Sequence, residues 1–100
     1  MAYSLRRVSD GAGDEGQMST RITPTFDMDT GKVSDIQYEE NAEPKVGSAM
    51  RVGAHYARTY SAQDYWQTTI ITEILEEKIL TDGHKYVKFK TGNSEYVWQD

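Results

Sequence analysis

The chain contains no cysteine and only two prolines among its 100 residues. Without cysteine there is no disulfide, no thiolate-ligated zinc and no thiol nucleophile. Small extracellular domains commonly depend on disulfides, so their absence leans toward a reducing, cytoplasmic setting. No apolar run approaches the ~20 residues needed to span a bilayer. Arg6 and Arg7 are not followed by an apolar stretch, so no signal peptide is expected. Positive charge is also short: eleven Lys and Arg stand against sixteen Asp and Glu, a net charge of −5. Phosphate backbones and anionic lipid surfaces repel such a chain at long range. This argues against a general nucleic-acid or membrane binder. A glycine-rich phosphate loop, a Gly-x-Ser-x-Gly elbow and paired metal-ligand spacings are lacking too. No enzyme activity, cofactor or small-molecule substrate is therefore expected.

What is present is unevenly spread. Large apolar residues are sparse before Ser48 and dense after it, where most of the eleven aromatics lie. One hundred residues suit a single domain, so its core is expected from the second half. The organisation expected is a flexible segment over 1–20, a hairpin with an acidic connector over 21–47, and a β-rich core over 48–100.

Residues 9–20 hold three glycines and three acids with almost no apolar side chain, which predicts a loop. Tyr3, Leu5 and Arg7 alternate weakly and suggest an edge strand. The stretch 21–40 predicts a hairpin, with Asp29-Thr-Gly31 at its turn. Pro24 confines its first arm to an edge or to the start of a strand. This Ile22–Tyr38 hairpin covers either its own barrel or a neighbour's. Met50, Val52, Ala54 and Tyr56 share one parity, the period-two spacing of a strand. Ser61 with Asp64 resembles a capping box and predicts a helical turn over 61–66. The five β-branched residues Thr68–Thr72 predict a strand over 68–77. Asp82-Gly83 is a turn, and Gly92-Asn93 joins two β-rich arms in a two-residue hairpin. Counting back from that turn sets Thr91 against Ser94, Phe89 against Tyr96 and Val87 against Trp98. Those aromatics then face inward, and Lys88 and Lys90 face outward beside Val97 and Glu95.

The order from residue 46 to 99 is an antiparallel meander. Val46-Gly-Ser-Ala-Met-Arg-Val-Gly53, the irregular stretch 55–67, the strand from Thr69 and the closing hairpin from Tyr86 to Trp98 resemble an SH3-like barrel. Tyr56-Ala-Arg-Thr-Tyr60 and Lys90-Thr-Gly-Asn-Ser94 also resemble small marine-phage proteins of uncharacterised function. The resemblance implies a mainly β fold with a short helical turn, located in the host cytoplasm or the virion, and no specific activity. The chain lacks the acidic loop and paired tryptophans of peptide-binding SH3 domains, so binding of proline-rich peptides is not implied.

Several constellations could carry chemistry. Asp27-Met-Asp29-Thr-Gly31 starts like a calcium loop, but the positions that need an oxygen ligand, glycine and glutamate hold Gly31, Lys32 and Tyr38. A solvated turn is the plainer reading. His55 and His84, with Asp64, Asp82 or Glu73, have no spacing that demands a metal or an acid–base pair. The acidic stretches 9–16 and 35–43 read as solvated surface, or as a mimic of nucleic-acid charge. The aromatic group Tyr60, Tyr65 and Trp66 is either a lid over one end of the barrel or an anchor for a partner. The expected function is a non-catalytic protein-interaction or structural module, whose partner is another protein or a second copy of the chain, with contact residues Tyr56, Arg58, Tyr60, Tyr65 and Trp66. The alternative is a single-stranded nucleic-acid binder using Arg51, Arg58, Lys85, Lys88 and Lys90.

Overall fold

The Gly92-Asn93 hairpin forms as the alternation predicts. In the computed structural model, which describes residues 3–53 and 65–100, Phe89 opposes Tyr96 and Val87 opposes Trp98. All four side chains are buried. Thr91 N–H donates to the Ser94 carbonyl at 2.8 Å and closes the turn.

The described residues form strands β1 (Tyr3–Arg7), β2 (Gly13–Gly16), β3 (Met18–Phe26), β4 (Val33–Glu40), β5 (Ala49–Gly53), β6 (Tyr65–Gln67), β7 (Ile71–Ile79), β8 (Lys85–Thr91) and β9 (Glu95–Gln99). They build two antiparallel sheets, ordered β2-β1-β9-β8-β7 and β4-β3-β5-β6. The core lies between the sheets. Leu5, Ile71, Val87, Phe89, Tyr96 and Trp98 come from the first, and Met50 and Val52 from the second. One buried polar link crosses it: Trp98 Nε1 donates to Ser19 Oγ at 2.9 Å, and Ser19 Oγ donates to the Ala42 carbonyl at 2.9 Å.

Four expectations differ from the structure. The stretch 9–20 reads as a loop, but it holds β2 and the first residues of β3. Composition misses this because β2 buries little of its own; it is held by pairing with β1. A Cβ on Gly13 would lie 1.8 Å from the Leu5 carbonyl oxygen, so only glycine permits that approach. β1 was expected at an edge, yet it runs between β2 and β9 with Leu5 fully buried. The helical turn over 61–66 is not seen at Tyr65 and Trp66, which pair in strand β6 with Gly53 and Val52. Residues 61–64 of that turn lie outside the described residues. The strand expected over 68–77 runs over 71–79. Residues 68–70 form the crossing between the sheets, held where Thr68 N–H donates to the Met50 carbonyl at 2.9 Å. No helix among the described residues is long and apolar enough to cross a membrane.

Candidate interaction surface

The expected hairpin of β3 and β4 is present, with an unusual distribution of side chains. Directly opposed residues of an antiparallel pair point to the same side. Ser19 opposes Val52 and Arg21 opposes Met50, so this parity faces the core. The alternate pairs, Thr20 with Arg51 and Ile22 with Ala49, face outward. Across β4 the outward row continues as Glu40, Tyr38 and Ile36, opposite Thr20, Ile22 and Pro24. A bulge after Thr25 then brings Phe26 opposite Val33. The hairpin's apolar residues therefore sit on the side away from the domain's own core. Its core-side parity is polar: Thr23 with Gln37, Thr25 with Asp35, and the ion pair of Arg21 with Glu39.

β5 ends opposite Ile22, so beyond that point β3 pairs with β4 alone. Pro24 lies in this stretch, where its missing N–H deprives no second neighbour. All eight residues of β4 are exposed. Phe26 retains 54% of its surface, Val33 51%, Ile36 44% and Tyr38 57%. Phe26, Val33 and Ile36 frame a shallow groove of ≈ 390 Å³ with Ile22, Pro24, Ala49 and Ile70. At the base of the hairpin the Arg51 guanidinium lies 4.5 Å from the Tyr65 ring and 6.0 Å from the Tyr38 ring. Arg51 also donates from Nε and Nη2 to Gln67 Oε1, at 3.0 and 2.8 Å. At the tip, Asp27 Oδ1 accepts the Asp29 N–H at 2.7 Å, and Gly31 takes a φ of 70°. The calcium-like stretch is thus an Asx turn. Among the described residues no group of three or more His, Asp and Glu is arranged to hold a metal ion.

Strand alternation separates the two described residues of the expected contact set. Tyr65 turns outward beside Arg51. Trp66, opposite Val52, turns inward and packs on the core beneath the Arg7 guanidinium, 5.3 Å from the ring. Trp66 Nε1 is buried with no hydrogen-bond partner among the described residues. Arg7 is held in place by Asp10, whose carboxyl the Arg7 hydrogen bond lowers to about 2. Tyr56, Arg58 and Tyr60 lie outside the described residues, as does His55. His84 sits exposed in its turn, Nδ1 3.5 Å from Asp100 and Nε2 4.0 Å from Asp82.

The basic set of the alternative reading is dispersed. Arg51 stands on the outer face of the four-stranded sheet. Lys88 and Lys90 stand on the outer face of the other sheet, opposed by Glu76 and Val97 and by Glu73 and Glu95. Lys85 shares the inward parity of Val87, and its Nζ meets Glu43 at 2.6 Å and Glu77 at 3.3 Å. The Glu43 carboxylate holds the Lys85 pKa above its ordinary value. Arg58 lies outside the described residues.

The apolar row was partly visible beforehand, since Ile22, Pro24 and Phe26 alternate, as do Ile36 and Tyr38. What the sequence could not supply is the β3–β5 register, which decides the side those residues face. Comparison with protein-family models, with curated proteins and with solved structures returned no match to this chain.

Proposed function

We propose that this protein is a non-catalytic protein-interaction module, a small SH3-like barrel extended by N-terminal strands, which docks a partner protein on the outer face of β3, β4 and β5. One observation carries the reading: the β3–β4 hairpin is amphipathic, and its apolar side faces away from the core of its own domain. A hairpin whose only task was to cover its own barrel would turn Phe26, Ile36 and Tyr38 the other way. Contiguous apolar patches rimmed by polar groups mark interaction sites on soluble proteins. Aromatic anchors beside a stacked arginine, as at Tyr38, Tyr65 and Arg51, are the residue types enriched at binding hot spots. A host-cytoplasmic or virion setting belongs to the same proposal.

Site-specific photo-crosslinking in the expressing cell tests it. A photoreactive residue in place of Tyr38 should give a discrete covalent protein adduct. The same residue in place of Lys88, on the mixed-charge face, should give none. Equal labelling at both positions, or none at Tyr38, would overturn the proposal.

A further inference from the structure

Resting on that reading, we infer that the occupant of this face is a second copy of the chain, packed face to face and antiparallel about a two-fold axis through the Pro24–Ile36 pair. The pattern of the face is self-complementary about that pair. Two residues toward the base lies the Ile22–Tyr38 row, and two residues toward the tip lies the Phe26–Val33 row. The axis sets each of these rows against the other row of the second copy, apolar on apolar.

One step further out, the charges match as well. Four residues from Pro24 on the base side stands the row of Glu40, Thr20 and Arg51. At the same distance on the tip side lies the turn that carries Asp27, Asp29 and Lys32. The antiparallel arrangement brings Arg51 toward the acidic turn of the other copy, and Glu40 toward its Lys32.

Size is consistent with self-association. Taking a large side chain as about 150–250 Å², the four half-exposed residues Phe26, Val33, Ile36 and Tyr38 leave on the order of 400 Å² to water. That is about half of the ~800 Å² each partner buries in a standard interface. Pro24, Tyr65 and Ile70 extend the same face. The contact is between faces and is not an added strand, because the β4 edge is guarded: Asp35 Oδ1 accepts the Ile36 N–H at 2.9 Å.

The test is a charge exchange between two variants of the full chain, followed by light scattering across a dilution series. The wild type should show twice the chain mass at high concentration and dissociate on dilution. Asp29→Arg alone sets arginine against Arg51, and Arg51→Glu alone sets glutamate against the acidic turn. Each should raise the dissociation constant about tenfold or more. An equimolar mixture of the two should recover wild-type association, since both cross-contacts of the mixed dimer then pair opposite charges. Asp27 is left intact because its carboxylate holds the turn. Ile36→Lys, at the axis, should give a monomer with an unchanged circular dichroism spectrum. A wild type of single-chain mass throughout, or a mixture no tighter than its components, would overturn the inference. A monomer whose Tyr38 position crosslinks a different protein removes self-pairing and keeps the module reading; a monomer with no adduct there removes both.

Discussion

Trp98 and Ser19 are 79 positions apart in sequence, yet a hydrogen bond between their buried side chains joins the two sheets. The indole N–H is buried, and the serine hydroxyl both accepts from it and donates to the Ala42 carbonyl. Removing the hydroxyl leaves a buried donor and a buried acceptor unmatched, and such a group costs about 1–3 kcal/mol. Ser19→Ala should therefore lower unfolding stability by about that amount in urea titration, with an unchanged slope. A loss below a few tenths would mean the pair is wet. Nothing local marks Ser19 for this role. In the sequence it ends a polar, glycine-rich run, and only the meeting of β3 with β9 across the core reveals its partner. Tyr65 and Trp66 make the converse point. They read as one aromatic cluster, and a strand's two-residue period sends them to opposite faces.

At the scale of elements, legibility followed the range of the forces. The hairpins β3–β4 and β8–β9 were readable because their turns carry their own chemistry in two to six residues. The register of the second could be counted outward from Gly92-Asn93 to the correct pairs. β7 was legible through its β-branched run, but its start was misplaced by three residues. Thr68, Thr69 and Ile70 have strand propensity and serve instead as the crossing between sheets. β2 was the least legible, since Gly13-Asp-Glu-Gly16 has neither propensity nor an apolar face. Its order comes from β1, and the contact depends on Gly13 lacking a side chain. Gly13→Ala would drive a methyl into the Leu5 backbone, and forced overpacking of this kind costs about 1–3 kcal/mol. The expected outcome is a lower melting temperature together with loss of amide protection in β2 and at Leu5. Full protection there in the variant would show that β2 can shift away without loss.

Across the whole molecule, stability is divided unevenly between core and arm. The core cluster spans β1, β5, β7, β8 and β9, while the distal half of the β3–β4 arm contributes no member to it. The radius of gyration of the whole molecule, 14.0 Å, exceeds the ~13 Å of a compact 100-residue domain, and the longest dimension is 45 Å. Local opening is easiest where few buried contacts must break, so exchange free energies range from near zero to the global value within one fold. For the isolated chain at high dilution, native-state hydrogen exchange should find the slowest amides in β1, β8 and β9. The arm beyond Ile22 should exchange far faster. Dimers that cover the apolar face should slow the arm as concentration rises and leave the core amides where they were. Slow exchange in the arm at every dilution would mean that its hydrogen bonds are protected without a partner, and the asymmetry between arm and core would have to be abandoned.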